Sequence, residues 1–474
     1  MQLVWFRQDL RIHDNSALTH AMQQGPAMAL YVVSPAQWQQ HADAPLKVDF
    51  QLRNLLQLAA GLQQLNVPLL VLRCELWRDL PEKLLEFCQR WQVRQLHFND
   101  QYGVNEQQRD QACSAILHAA GIGVQRHQDG VLFAPGSVRN RHGQMFQVFT
   151  PFKKACWQRL HHSPPRTLRT PAAQAPVAIA SQLQEAQQLL AHNPQWNSLW
   201  PAGEQYAWQQ LHSFCQHRLA HYQQERDFPA LDGTSRLSPY LACGVLSVGS
   251  CWQAAVHTNQ GEFDSGCQGT VTWLNELLWR EFYQHLLALH PRLSRGAPYQ
   301  AHTQHINWRE APQDLQAWQQ GRTGFPLIDA AMRQLAATGW MHNRLRMVVA
   351  MFFSKNLLLD WRLGEHWFMQ HLIDGDLAAN NGGWQWSAST GTDAAPYFRV
   401  FNPLTQSRRF DPHGRFIRQW LPELAHLSDQ EIHLPPQDLF TRNYPPPIVD
   451  LKASRVRAIE AFRQIPASLS AGLE

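Results

Sequence analysis

The first 130 residues alternate two hydrophobic periods. Short apolar or alternating runs at Leu3–Phe6, Met28–Ser34, Pro68–Cys74 and Gln95–Asn99 read as strands, with Val124–His127 as a fifth. Between them, apolar positions recur at helical spacing over Asn15–Gln24, Pro45–Asn66, Asp79–Trp91 and Asn105–Ala120. Asp14 or Asn15 is placed to cap the first of these helices, because a short polar side chain accepts the free N–H groups of an opening turn. Strand and helix in alternation, joined by short turns, predict a parallel sheet covered by helices on both faces. From His161 to about Trp200 the periodicity gives way to a Pro- and Ala-rich stretch that reads as a connector. Beyond Pro201 no strand series recurs. Helical spacing returns at Trp273–His290, Pro326–Ala337, Met341–Leu359 and Leu363–Leu372, so this half is expected to be all-α. The predicted division is an α/β domain at 1–130, a connector at 131–200 and a helical domain at 201–474.

Composition removes several classes. The chain has 474 residues, 44% hydrophobic and 16% charged, which does not describe a disordered polyelectrolyte. Lys and Arg (41) exceed Asp and Glu (37) by four, a mild basic excess that suits a polyanionic partner without requiring one. The longest apolar run, Met347–Phe353, is far short of the ~20 residues a membrane span needs. The opening MQLVWFRQDLR has no basic stretch leading into a long apolar one, so no signal peptide is expected. The eight cysteines form no C-x-x-C pair; no metal site or disulfide framework is expected, and a reducing cytoplasm is the expected location. The first strand runs into RQDLRIHDN rather than G-x-G-x-x-G, and G-x-x-x-x-G-K-[ST], G-x-S-x-G and H-E-x-x-H are all missing. Nineteen tryptophans against nine tyrosines raise the question of stacking or redox use beside ordinary core packing.

Four segments carry chemistry. In Thr234–Ser238, hydroxyls and backbone N–H groups at a helix start suit phosphate oxygens, although the same residues make an ordinary cap and turn. In Trp273–Tyr283, helical spacing puts Trp273, Glu276 and Arg280 on one face, with Trp279 three residues from Glu276. A carboxylate among indoles is costly to bury unless it is hydrogen-bonded; the alternative is an exposed Glu–Arg pair beside core tryptophans. In Trp340–Met347, Asn343, Arg346 and Met347 share a face while Arg344 projects elsewhere, which suits phosphate and base-edge contacts or simply the basic side of an amphipathic helix. The densest stretch is Ile373–Pro403. There Asp374, Gly375, Asp376, Asn380 and Asn381 precede two glycines, Trp384 and Trp386, a mixture suited to a pocket for a flat molecule.

Together with LVWFRQDLRIHDN at the start and HYQQERDFPALDGTSRLSPYLACGVLS in the middle, these segments resemble the photolyase/cryptochrome family over nearly the whole chain. They are most similar to class I cyclobutane pyrimidine dimer photolyases of the folate-antenna bacterial type. The resemblance implies a Rossmann-like α/β N-terminal domain with a parallel sheet but no dinucleotide fingerprint, followed by an all-α C-terminal FAD-binding domain. It implies FAD, active as FADH⁻, with Tyr222, Thr234, Ser235, Arg236, Leu237 and Ser238 on its phosphates and ribityl chain. Trp273, Asn343 and Arg346 would line the pocket. Asp374 would pair with Arg346 beside the flavin, Gly375 and Asp376 would lie at its edge, and Asn380 would face N5 with an uncharged amide.

For DNA, the resemblance implies that Glu276 bonds the base edge of the lesion while Trp279, Met347 and Trp386 pack against it. Arg226 and Arg344 would grip flanking phosphates, with Arg280 and Asn343 in the same DNA-contacting set. Trp384, Trp361 and Trp308 match the family's electron-hopping chain. His41, Asn105 and Glu106 match positions that hold a 5,10-methenyltetrahydrofolate antenna. Ser294–Arg295 replaces the family's cysteine–lysine pair, and Arg295 keeps the charge in a different shape. The implied activity is light-driven repair of a flipped-out dimer by electron transfer from excited FADH⁻. The implied partner is UV-damaged DNA, met by a cytoplasmic, membrane-free monomer that joins the nucleoid when bound and needs no protein partner. A (6-4) photolyase usually carries a histidine pair where Met341 and Asn343 flank the single His342. A DASH-type cryptochrome often has glutamine and tyrosine in place of Met347 and Trp386. A non-enzymatic blue-light receptor is the remaining alternative, and Asn380 and the short tail favour repair over it.

Overall fold

Strands whose side chains are apolar on both sides must be covered on both faces, and that is how the N-terminal part is built. In the computed structural model, which describes residues 1–439 and 441–465, five strands form one parallel sheet. They are β1 (Gln2–Phe6), β2 (Ala27–Val33), β3 (Leu69–Arg73), β4 (Gln95–Asn99) and β5 (Gly123–His127), in the order β3-β2-β1-β4-β5. The helices Ser16–Gln24, Pro45–Gln64, Leu80–Arg90 and Val104–Ala119 provide the crossovers. Leu3, Trp5, Met28, Leu30, Leu84, Leu96, Phe98 and Leu117 form a shared core. Of the two candidate caps for the first helix, Asn15 is used, its amide oxygen accepting from Leu18 N–H at 3.0 Å. Asp14 stands at φ +54° and instead accepts from the Leu168 N–H.

The expected connector is more structured than its composition suggests. It contains the helix Phe149–His162 and the short helices Gln184–Gln187 and Pro194–Leu199, and Gln182 pairs with Leu70 at the edge of the sheet. Chain contacts divide the protein into two units whose bounds do not follow the 1–130, 131–200 and 201–474 division. The first unit is 1–223 with 235–291 and 373–376; the second is 224–234 with 292–372 and 377–474, of which 440 and 466–474 lie outside the described residues. The first unit extends so far because the Gln268–Leu289 helix packs on Phe149–His162.

The second unit is helical. Pro326–Thr338, Asn343–Met351, Trp361–Met369 and Leu377–Ala388 contribute to a core that holds Trp318, Trp361 and Trp384, with Trp308 packed on its edge. The expected continuous helix Met341–Leu359 is interrupted. It is α-helical over Asn343–Met351, widens into a π turn at Phe352–Asn356, and reaches Leu358 at φ +53°. The wide turn aims the wholly buried Lys355 at the carbonyls of Pro396, Tyr397 and Arg399, at 3.3, 3.4 and 2.9 Å. The polar Ile373–Pro403 stretch contains the Leu377–Ala388 helix, which its composition did not announce. Among the described residues no helix is long and apolar enough to cross a membrane, no cluster of His, Cys, Asp and Glu is arranged to hold a metal, and all eight cysteines are unpaired.

Between β4 and β5, His97 Nδ1 lies 3.1 Å from His127 Nε2. Burial pushes both imidazoles from the usual 6.5 down to about 4. The unfolded chain therefore takes up protons first: this pair's contribution to stability is complete above pH 6.5 and is lost as pH falls through about 4. Urea unfolding measured across that window is expected to lose on the order of 1–3 kcal/mol from this source. The double variant His97→Gln/His127→Gln is expected to flatten the profile, and an unchanged acid slope would assign the loss elsewhere.

Candidate functional site

In the first unit, the Gln268–Leu289 helix carries the aromatic and acidic residues picked out from sequence. Trp273 is buried and contacts Phe214 at 5.1 Å between centroids; Phe214 in turn meets the buried Tyr222 at 5.9 Å. Glu276 is half-buried one turn along. Trp279 is stacked on Phe149, centroids 3.7 Å apart and planes inclined by 12°. Arg280 does not simply face Glu276: its Nη1 donates to the Gly130 carbonyl at 2.6 Å. One turn further on, Gln284 donates to both oxygens of Asp376, at 3.1 and 3.3 Å, which turns that carboxylate toward the helix. Asp374 and Gly375 are buried beside it in the chain.

The Ser235–Ser238 turn reaches the short Ser238–Ala242 helix through Arg236, held at φ +53°, a conformation that costs a residue with a Cβ. Leu237 is buried while Arg236 and Ser238 are exposed, so the turn buries its one apolar side chain and presents its polar ones. Thr234, which precedes it, is half-buried and belongs to the second unit. Two of the antenna residues are drawn together: His41 Nε2 lies 3.0 Å from Asn105 Nδ2, and the His41 ring stands edge-on to Trp77 at 4.8 Å. Glu106 folds back over Gly103, where any side chain would collide with its carboxylate.

In the second unit, Arg344 Nη2 bridges Asp227 at 2.8 Å and its guanidinium lies over Phe410 at 4.5 Å. Arg226 neighbours the same aspartate, 3.9 Å away. The helix that carries Arg344 is capped by His342, whose Nδ1 accepts from the Arg344 N–H at 3.2 Å. Burial pushes this imidazole down to about 4, so it caps as a neutral ring, and its Nε2 is buried without a partner among the described residues. Asn343 is exposed, Arg346 Nε donates to the Met341 carbonyl at 2.8 Å, and Met347 sulfur lies 3.9 Å from Arg344 Nη1. Arg295 is exposed in the turn Leu293–Arg295.

Asn380 is fixed by donating Nδ2 to the Glu365 carbonyl at 2.9 Å, which leaves its amide oxygen as an acceptor. Glu365 itself was not singled out from sequence. Burial pushes its carboxyl up to about 7 against a hydrogen bond from Asn381. Trp384, on the same helix as Asn380, meets Phe368 at 5.0 Å, Phe353 at 5.6 Å and Trp318 at 6.1 Å. Trp361 is fully buried in that core with Arg362 over its ring at 5.0 Å, and Trp308 meets Phe462 edge-on at 6.4 Å. Trp386 is half-buried, and its carbonyl accepts from the Ala395 N–H at 3.1 Å. Trp318, like Glu365, was invisible in the sequence because only long-range packing brings it to Trp384. In the first unit, Asn275 Oδ1 is buried with no partner among the described residues, an unspent acceptor on the helix that bears Trp273 and Glu276.

Two family models match the chain: "DNA photolyase" over residues 2–172 and "FAD binding domain of DNA photolyase" over 273–464. The chain is 44% identical to the deoxyribodipyrimidine photo-lyase of Escherichia coli K12, over 97% of this chain and 98% of that one. It is also 44% identical to the deoxyribodipyrimidine photo-lyase of Vibrio cholerae, over 98% and 99%. Among solved structures it is similar to a bacterial class III photolyase from Agrobacterium tumefaciens, with TM-score 0.85, 32% identity and coverage of 98% and 97%. A cryptochrome of Synechocystis aligns with TM-score 0.85 at 29% identity, covering 97% and 99%.

Within the second unit, Gly364 leaves no space for a side chain, because a Cβ there would run into the six-membered ring of Trp384. Gly364→Ala is therefore expected to displace that indole, lowering stability by about 1–3 kcal/mol and shifting tryptophan emission. Unchanged emission and unfolding midpoint would show that the contact yields at no cost.

Proposed function

This chain belongs to the DNA photolyase family, and from that premise we propose that it repairs cyclobutane pyrimidine dimers in DNA under light. The observation that carries the reading is 44% identity along essentially the whole length of proteins named deoxyribodipyrimidine photo-lyase. The family's FAD-binding domain occupies residues 273–464. The residues present suit FAD. Arg236, held exposed in a left-handed turn among hydroxyls, is a donor set for a pyrophosphate; Asn380 keeps a free amide oxygen for a ring N–H; and the unspent Asn275 acceptor awaits a donor. When bound, the reduced flavin supplies the electron that light drives into the dimer.

The chain's own residues bind and orient. Tyr222, Thr234, Ser235, Arg236, Leu237 and Ser238 take the phosphates and ribityl chain. Trp273, Asn343, Arg346, Asp374, Gly375 and Asp376 take the rings. Asn380 presents a neutral amide, so it orients the ring without adding charge. Glu276 hydrogen-bonds the base edge of the extruded lesion, while Trp279, Met347 and Trp386 pack against it and exclude water. Arg226, Arg280 and Arg344 hold phosphates beside it, contacts that give affinity without sequence choice. Trp384, Trp361 and Trp308 pass electrons inward through one aromatic core. His41, Asn105 and Glu106, with Arg295, take a methenyltetrahydrofolate antenna. In this reading 1–130 is the antenna domain, 131–200 the connector and 201–474 the FAD- and DNA-binding domain of a cytoplasmic monomer.

Irradiating chemically reduced protein with a dimer-containing oligonucleotide is expected to restore the pyrimidines in light only. Equal conversion in the dark would overturn the proposal, and binding without conversion would favour a light receptor. Trp384→Phe is expected to abolish photoreduction of the oxidised flavin yet leave repair by pre-reduced protein intact. Unimpaired photoreduction would remove Trp384 from the electron path.

A further inference from the structure

The positive charge of the chain is not spread evenly. Between Asp129 and Glu185 there is no Asp or Glu, while seven of the 41 Lys and Arg residues fall there. Without that stretch the chain would carry a net −3 instead of +4. Six of the seven are exposed (Lys153 is half-buried), and among the described residues none is in a salt bridge with a carboxylate. Uncompensated like charge opposes folding, and a surface that concentrates it is an electrostatic footprint for a polyanion.

The structure gathers part of this charge into a groove of about 600 Å³ in the first unit. Leu132, Phe133, Leu160 and Pro164 give it apolar walls, while Arg159, Arg166 and His162 line it with donors. Arg159 lies over the Phe133 ring at 5.0 Å and donates to Ser137 Oγ at 3.2 Å. The wall is rigid: the backbone N–H groups of Leu132 and Phe133 donate to the wholly buried carboxylate of Glu281, at 2.9 and 2.8 Å. The groove lies at the end of the Phe149–His162 helix, whose first residue is stacked on Trp279. The wall residues Leu132 and Phe133 are held at Glu281, two residues from Trp279 on its helix, while Arg159 stands ten residues, about 15 Å at ~1.5 Å per residue, along the Phe149–His162 helix from the end stacked on Trp279. A duplex advances ~3.4 Å per base pair, so the distance to Arg159 corresponds to about four base pairs.

We infer that the acid-free basic segment, centred on the Arg159–Arg166 groove, grips the DNA backbone several base pairs from the lesion and supplies sequence-independent affinity. The inference rests on the proposed DNA substrate and on Trp279 facing the lesion. The partner is a phosphodiester backbone, because paired guanidinium groups beside an aromatic wall match phosphate oxygens and no acidic side chain opposes them.

The test compares two DNAs, one with a dimer flanked by about ten base pairs on each side and one with about two nucleotides on each side, so that only the first reaches the groove. For Arg159→Gln/Arg166→Gln, the salt dependence of binding to the long duplex is expected to fall by about two in log–log slope, with affinity about tenfold weaker. Binding of the short DNA, FAD content and light-driven turnover at saturation are expected to stay as in the unmodified protein. Arg159→Lys/Arg166→Lys is expected to keep most of the slope, since point charges still neutralise phosphates. An unchanged slope on the long duplex, an equal loss on the short DNA, or a double variant that releases anionic-lipid vesicles but not duplex would overturn the inference. Wild-type protein that shows the slope and loses it in the variant, yet leaves dimers unrepaired in light, would keep the groove and overturn only the repair reading.

Discussion

One buried carboxylate organises the first unit. Glu281, wholly removed from solvent, accepts the N–H groups of Leu132 and Phe133 and lies 3.3 Å from His285, whose ring also meets the Phe133 carbonyl. Bonds of this kind to a carboxylate contribute ~1.5–3 kcal/mol each, which offsets the cost of burying it. They pin the chain leaving the sheet to the middle of the long Gln268–Leu289 helix. The same helix positions Trp273, Glu276 and Trp279, so the orientation of those side chains follows from where Glu281 is anchored.

Charge is handled similarly around the sheet. At the end of β1, Arg7 bridges Asp110 at 2.9 Å, and Arg109 bridges the same carboxylate at 2.7 Å, all three buried. The two guanidinium groups hold Asp110 below the usual carboxylate range despite its burial, and Arg7 also lies over the Trp5 and Phe98 rings. Breaking one member would leave an uncompensated charge in the interior, the costly half of any buried ion pair. The C-terminal end of the central strands is therefore closed by paired charges, although Arg7 Nε and Asp110 Oδ2 have no hydrogen-bond partner among the described residues.

What was legible from sequence follows from how local each signal is. β1, β2 and β3 could be read because their runs are largely apolar, and Asn15 because a cap is decided within four residues. The break after Met351 could not be read: Met347–Phe353 is apolar enough to continue a helix, and a leucine at positive φ leaves no mark in the sequence. The Leu377–Ala388 helix was hidden because Asn-Asn-Gly-Gly is a poor helix former that tertiary packing overrides. Most polar candidates came from matched motifs. Trp318, Glu365 and the partner of Arg280, Gly130, depend on contacts across 15 to 150 residues that no local pattern announces.

Lys355 carries a consequence of its own. Among the described residues its ammonium bonds three carbonyls and no carboxylate, and burial brings it from 10.5 down to about 7. Burial thus makes this proton easier to remove than that of an exposed lysine. With it, three donors meet three acceptors; without it, two donors remain and one carbonyl goes unserved. The exposed Tyr397 and Phe398 accordingly sit on a segment that is held through its backbone carbonyls by one buried ammonium.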